Sequence, residues 1–111
     1  MDALSNAVSG LRAAQLQVDV AANNVANVNT PGFQPGVTEQ EAQAGGGVAA
    51  YVAAGQAPPN LPNVPAADQP SGTDLTTEMA ALITGPIAYA ANGRVIDFSV
   101  QAQRSLLDVL A

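Results

Sequence analysis

The residues of this chain that could carry acid–base or metal chemistry are its nine carboxylates, because the sequence contains no histidine and no cysteine. Without those two residue types, a general base or a metal ligand would have to be Asp or Glu. The carboxylates are scattered, and the closest pair in sequence is Glu39 and Glu41. Ca²⁺ and Mg²⁺ need more converging oxygen atoms than such a pair supplies, so we interpret it as part of a solvated loop.

Three consecutive glycines at 45–47 are the second feature that could do chemistry, as a phosphate-binding loop. That motif requires a following Lys and Ser or Thr that open a helix, and neither is present here. We therefore interpret the run as a hinge. A small hydrolase would need two carboxylates converging in a pocket, and no helical spacing provides them. The sequence predicts no enzyme and no cofactor.

Composition narrows the possible partners. Only 11% of the residues are charged and the net charge is −6, whereas about a quarter of a typical domain is charged. This balance argues against nucleic acid and anionic membrane surfaces, which require basic patches. No apolar run reaches membrane-spanning length, and the first residues lack the features of a cleaved signal. The low charge instead favours surfaces that pack against protein.

The elements that must position any functional residue begin with a helix predicted over residues 1–29. It carries two charge-free heptad rows, a pattern typical of helix–helix packing. These rows are Leu4, Leu11, Val18 and Val25, and Ala7, Ala14, Ala21 and Val28. Asp2 is a predicted N-cap. Pro31 and Gly32 end the helix in a predicted type II turn.

A second helix is predicted over residues 74–110, with Asp74 as its N-cap. Its predicted seam consists of Leu75, Met79, Leu82, Tyr89, Ile96, Val100, Leu107 and Leu110. Pro86 lies in the same seam, removes a helical donor and clashes with the Leu82 carbonyl, at a cost of about 3 kcal/mol. We therefore expect a kink or a break near residues 82–86.

The middle of the chain, residues 34–73, holds six of the eight prolines and six of the ten glycines. Residues 34–47 are predicted as loop, 48–53 as a short strand and 57–72 as an extended, polyproline-like segment. The predicted fold is mainly α, with long N- and C-terminal helices that form a coiled-coil-like hairpin. The three units are 1–33, 34–73 and 74–111, and either a parallel or an antiparallel helix pair fits the pattern.

The face of the first helix away from its seam is small, polar and nearly uncharged, with Asn23, Asn24 and Asn27 near its end. A solvated helix face normally carries many Lys and Glu residues. This composition favours a second packing surface over an ordinary exposed face of low charge.

Residues 22–33, with the sequence ANNVANVNTPGF, resemble the N-terminal signature of the flagellar rod and hook proteins. The elements DLTTEM at 74–79 and AYAAN at 88–92 resemble the C-terminal helix of the same family, as does the leucine-rich end at 106–110. The short middle segment is most similar to the proximal-rod subunits. Residues 85–87, Gly-Pro-Ile, depart from the family's continuous polar helix at this point.

This resemblance implies a structural subunit of the basal-body rod. Such a subunit leaves the cell unfolded through the flagellar export apparatus, joins rod and hook subunits and copies of itself, and builds a periplasm-spanning helical tube that transmits torque for motility. Function then rests on packing residues rather than on a catalytic centre. The predicted interaction residues are Leu4, Leu11, Val18, Asn23, Asn24, Val25, Asn27, Phe33, Leu75, Met79, Leu82, Tyr89, Asn92, Ile96 and Leu107. The alternative is a free-standing helical-hairpin binding module or an export-chaperone-like protein.

Overall fold

The computed structural model describes residues 3–110 and contains two long helices with a small hairpin between them. Helix α1 spans Ala3–Ala26 and helix α2 spans Leu75–Leu110, and strands β1 (Gly36–Ala42) and β2 (Val48–Ala54) lie between them. The molecule is elongated, with extents of 76 × 25 × 15 Å. Neither helix is apolar enough over a sufficient length to cross a membrane. The expected mainly helical, hairpin-like architecture is confirmed.

The helix ends follow local signals in the sequence. Helix α1 stops at Ala26, slightly earlier than the pattern predicts, and the chain then turns where Phe33 N–H donates to the Thr30 carbonyl at 3.2 Å. Gly32 has φ 67°, as the predicted type II turn requires. Asp74 caps α2, since its Oδ1 accepts from the Thr76 N–H at 3.0 Å. The predicted cap at Asp2 lies outside the described residues.

The two helices run antiparallel, which settles the alternative that the sequence left open. Asn24 contacts Glu78 and Gly10 lies against Asn92, so residue numbers fall along one helix as they rise along the other. The buried row of α1 is Ala7, Ala14 and Ala21, as the heptad pattern predicts. Alanines along this row let the two backbones approach closely.

The predicted seam of α2 is wrong in its rotation. Leu75, Met79, Tyr89 and Leu107 are about half exposed or more, whereas Leu82, Ile96 and Val100 of the same seam are partly buried. The side of α2 that meets α1 instead carries Glu78, Gly85 and Asn92, one residue earlier in each turn. A hydrophobic pattern cannot find this row, because close approach selects a glycine and two polar residues there.

Helix α2 passes through Pro86 without a break, so of the expected kink or break the break is wrong, while the kink stays a prediction. Pro86 is exposed, whereas its neighbour Gly85 is buried against α1. The Leu82 carbonyl that loses its helical donor can therefore be hydrogen-bonded by water. Tertiary packing on both sides of the proline holds the helix together.

The strand predicted at 48–53 is confirmed, but the prediction of loop at 34–47 is wrong. Residues 36–42 form β1, paired antiparallel with β2 from Gly36 opposite Ala54 to Ala42 opposite Val48. The glycine run is the hairpin turn rather than a hinge, since Gly46 and Gly47 have φ 89° and 83°. With two Glu and two further polar side chains, β1 has weak strand propensity of its own and is stabilised by its partner strand.

Residues 57–72 form no ladder, in agreement with the sequence, apart from a short 3₁₀ helix at Ala66–Asp68. The Gln69 side chain organises this loop through hydrogen bonds to the N–H and carbonyl of Leu61 at 3.0 Å. Gly72 N–H donates to the Phe33 carbonyl at 2.9 Å. The loop therefore returns the chain to the end of α1, where α2 begins.

Gly85 and Gly93 offer a matched test of the helix contact. A Cβ at Gly85 would lie 2.5 Å from Val18 Cγ2, whereas a Cβ at Gly93 would meet nothing within 4 Å. Gly93→Ala should stabilise the protein by about 0.5–1 kcal/mol through helix propensity. Gly85→Ala should lose about 1–3 kcal/mol to overpacking. Urea denaturation followed by circular dichroism checks both, and equal stabilisation by the two substitutions would contradict the close helix approach.

Candidate packing interface

Asn24 is the most buried polar residue described, with 0% of its surface exposed. Its Nδ2 donates to the Gly36 carbonyl at 2.8 Å and to Glu78 Oε1 at 3.0 Å. Its Oδ1 accepts from the Gly36 N–H at 3.0 Å. The side-chain amide thus pairs with Gly36 as a neighbouring strand would, while also holding the first turn of α2. We call this set of contacts the Asn24 clamp.

The backbone of Asn24 also takes part, because Thr73 Oγ1 donates to the Asn24 carbonyl at 3.2 Å. This bond satisfies a carbonyl in the last turn of α1 and fixes the loop that leads into α2. The sequence pattern placed Asn24 on an outer face, and the structure places it in the interior instead. The reason is that position 24 lies between the α2-facing and the sheet-facing sides of α1.

The two neighbouring asparagines remain at the surface. Asn23 is exposed, and Asn27 is partly buried. Asn27 Nδ2 donates to the Asn23 carbonyl at 2.9 Å, and Asn27 Oδ1 accepts from Thr30 Oγ1 at 3.1 Å. Asn27 therefore closes the C-terminal end of α1 and leads the chain into the following turn.

Ser9 fastens the hairpin at its other end. Its hydroxyl donates to the Asn6 carbonyl at 2.7 Å and accepts from the Val48 N–H at 3.1 Å. A Cβ on Gly47 would lie 2.6 Å from this same hydroxyl oxygen, so the turn can lie this close only with glycine there. Asn24 and Ser9 together attach β1 and β2 to α1 at opposite ends.

A groove of about 220 Å³ runs between β1 and the two helices beside the Asn24 clamp. Its walls include Gln17, Thr38, Thr77 and Glu78, and Thr38 Oγ1 is buried there without a hydrogen-bond partner. Among residues 3–110, no group of three or more His, Cys, Asp or Glu side chains is placed to hold a metal ion. Glu39 and Glu41 are exposed on β1.

The outer surface of α2 carries large apolar side chains, at steps of four residues from Leu75 to Ile87 and of three or eight residues beyond it. This outer apolar row consists of Leu75, Met79, Ile83, Ile87, Val95, Phe98, Leu106 and Val109, all substantially exposed. Asn24 lies beside Glu78 and Gly10 beside Asn92, and extending this antiparallel pairing to the start of α1 places Ala3 beside Ser99. Residues 101–110, all exposed, therefore extend beyond the described part of α1 by about 15 Å at 1.5 Å per residue.

The predicted interaction residues fall into three groups. Asn24 is buried within the chain. Partly buried residues are Leu4, Leu11, Val18, Val25, Asn27, Phe33, Leu82, Asn92 and Ile96. Exposed residues are Asn23, Leu75, Met79, Tyr89 and Leu107. Their role in contacts between subunits remains a prediction.

Sequence reasoning missed Ser9, Glu78 and Gly85 as packing residues. Glu78 and Gly85 had a signal, because a carboxylate and a glycine inside an alanine-rich helix need a reason to be there. Their partners are distant in sequence, however, and a single chain gives no indication of which residue each one meets.

The Asn24 clamp predicts a large difference between two neighbouring asparagines. Asn24→Asp removes the donor and places a carboxylate beside Glu78, so unfolding free energy should fall by about 3 kcal/mol. Asn23→Asp, which adds the same charge at an exposed position, should change it by about 0.5 kcal/mol or less. Chemical denaturation measures both variants, and similar losses would show that the clamp contributes little.

Comparison with known proteins bears on the same part of the chain. Residues 4–34 match the family model described as "Flagella basal body rod protein". No curated protein matches the chain. The matched segment includes most of α1, Asn24 and the turn through Phe33, and it confirms the resemblance found in residues 22–33. Over residues 4–34 the chain is therefore similar to the flagellar basal body rod proteins, which are structural proteins.

Proposed function

We propose that this protein is an exported subunit of the flagellar rod that packs with other rod subunits into a helical tube and transmits torque. The family match supports a structural role in the basal body. The observation that carries the finer proposal is the outer apolar row of α2, which the chain's own elements leave uncovered.

Exposure along this row is too extensive for a surface that remains in water. Ile87 and Phe98 of the row are 65% and 73% exposed, and Leu107, on the projecting end of α2, is 67% exposed. Contiguous apolar surface of this kind marks contact sites in folded proteins. Burying each large side chain stabilises the contact by about 1.5–3 kcal/mol. Neighbouring subunits of a tube would cover the row and the projecting end together.

The row also winds around the helix. A step of four residues turns by about 40° more than one full helical turn, because the α-helix has about 3.6 residues per turn. From Leu75 to Ile87 the apolar side chains therefore turn by about 120° around α2, and beyond Ile87 they stay within one face. This arrangement suits a long helix enclosed by several subunits, as in a tube that carries torsional load.

The short middle segment supports a place among the proximal-rod subunits. It contains one two-stranded hairpin and an irregular loop, so there is no larger middle domain among the described residues. The buried hydrophobic residues described are four alanines, which bury little area and make unfolding for export inexpensive in free energy. We propose the export apparatus and other rod and hook subunits as its partners.

The alternative is a free-standing helical-hairpin binding module or an export-chaperone-like protein. The Asn24 clamp favours this alternative, because it joins α1, β1 and α2 within a single chain. Such a module would bind a partner transiently and would be absent from purified basal bodies, which separates it from a rod subunit.

The rod proposal predicts that a charge in the outer apolar row blocks assembly. In a flagellated bacterium lacking the native gene, Phe98→Glu should abolish swimming and incorporation into purified basal bodies, because burial of an unpaired carboxylate is costly. Gln56→Glu adds the same charge at an exposed loop position, away from the outer apolar row and the projecting end, and should leave swimming within about twofold of wild type. Immunoblots of basal bodies and soft-agar motility measure the effect. Wild-type motility and incorporation of Phe98→Glu would contradict the proposal.

A further inference from the structure

Each strand of the hairpin has an outer edge, to which half of its backbone N–H and C=O groups point. Gln43 N–H donates to the Gly47 carbonyl and Gly55 N–H donates to the Pro35 carbonyl, so the odd-numbered residues direct their backbone groups across the pair. The even-numbered residues consequently direct their N–H and C=O groups outward. Gly36 and Val48 confirm this, since their outward N–H groups reach Asn24 and Ser9.

The two outer edges differ in access. The β1 edge begins in the Asn24 clamp and faces the groove beside α2, where Thr38 lies with Thr77 and Glu78. The β2 edge lies on the other side of the hairpin, beside Arg12 and Leu16 of α1. Among the described residues, nothing hydrogen-bonds the outward N–H and C=O groups of Ala50 and Val52.

The side chains of β2 do nothing to protect this edge. Natural edge strands are usually guarded by charges, proline or a bulge, whereas β2 has the sequence VAAYVAA. Tyr51 and Val52 are 52% and 53% exposed. Such an edge accepts another uncharged extended strand through its main chain.

We propose that two copies of this chain pair through the free edge of β2, joining their hairpins into one four-stranded antiparallel sheet. With Ala50 opposite Val52 of the second copy, the unused groups of both strands form four hydrogen bonds. Tyr51 then faces Tyr51 of the second copy across the two-fold axis, as a cross-strand aromatic pair. The uncharged strand joins two chains of net charge −6 without placing acidic side chains in contact.

A second copy of this chain is favoured over a different partner, because the two α1 helices would be complementary in packing distance and in charge. Each α1 lies beneath its own two strands, so the two helices are separated by two strand spacings, about 10 Å, which is a normal helix-packing distance. Val48 contacts Ser9, and Val52 and Val20 both lie close to Gly36, so β2 runs in the same direction as α1. The axis through Tyr51 therefore crosses α1 near Leu16.

Arg12 and Asp19 lie on either side of that axis, exposed on the same face of α1. Seven residues separate them by about 10 Å along the helix, too far for an ion pair within one chain. Antiparallel packing of α1 against α1 places Arg12 near Asp19 of the second copy, twice by symmetry. A two-fold pair closes on itself and does not propagate, so this state is distinct from the tube and does not rest on the proposed function.

A disulfide tests the strand register, because the chain has no native cysteine. Tyr51→Cys should yield a covalent dimer under mild oxidation, since the facing Cα atoms of a non-hydrogen-bonded pair are about 4.5 Å apart. Val37→Cys, exposed on the same face of the sheet but on β1, should stay monomeric on a non-reducing gel. Efficient cross-linking of both variants or of neither would overturn the proposed register.

Charge reversal tests the helix contact and the choice of partner. Sedimentation equilibrium should show a dimer for the wild type, and Arg12→Asp or Asp19→Arg should raise the dimer dissociation constant about tenfold or more. The double variant should recover wild-type dimerisation, because the pairs are re-formed with exchanged charges. Circular dichroism establishes that each variant keeps its helices.

Two results contradict the pairing: a wild-type protein that stays monomeric at about millimolar concentration, or a double variant as weak as the singles. If the β2 edge instead pairs with a strand of a different protein, the purified wild type should stay monomeric. These experiments use the purified protein, whereas the rod proposal is decided by motility and by the protein content of basal bodies. Failure of the dimer and failure of the rod proposal can therefore be told apart.

Discussion

The fold depends on one interaction, the pairing of the Asn24 side-chain amide with the backbone of Gly36 and the carboxylate of Glu78. These three residues belong to α1, β1 and α2, so one side chain joins all three elements. A fully buried amide is costly unless each of its groups is hydrogen-bonded. The clamp therefore favours one arrangement of the three elements, because any other would leave the buried amide of Asn24 without hydrogen bonds and raise the free energy of the fold.

The clamp also sets which side of α2 faces inward. Glu78 must point toward Asn24, and the helical repeat then directs Gly85 and Asn92 against α1. The larger apolar side chains of α2 are left on the outside, where Ile83, Ile87 and Phe98 are exposed. A small and partly polar inner contact is thus combined with an apolar outer surface, the reverse of an ordinary amphipathic helix.

Much of this architecture could be predicted from the sequence, because local signals determine it. Asp74 caps α2, Gly32 forms the turn after α1, and the alanine row of α1 is buried as its spacing indicates. The rotation of α2, strand β1 and the interior position of Asn24 could not be predicted. Each depends on a partner far away in sequence, and in each the polar residue or glycine that makes the contact resembles a surface residue.

Amide hydrogen exchange at Gly36 tests the clamp most directly. This N–H points away from β2, so only Asn24 Oδ1 can protect it from solvent. If the clamp is formed in solution, the Gly36 amide should exchange as slowly as the interior amides of α1, since both open only when the elements separate. Exchange at the rate of an unprotected loop, while α1 remains protected, would show that the hairpin is not held by Asn24 and would contradict the account.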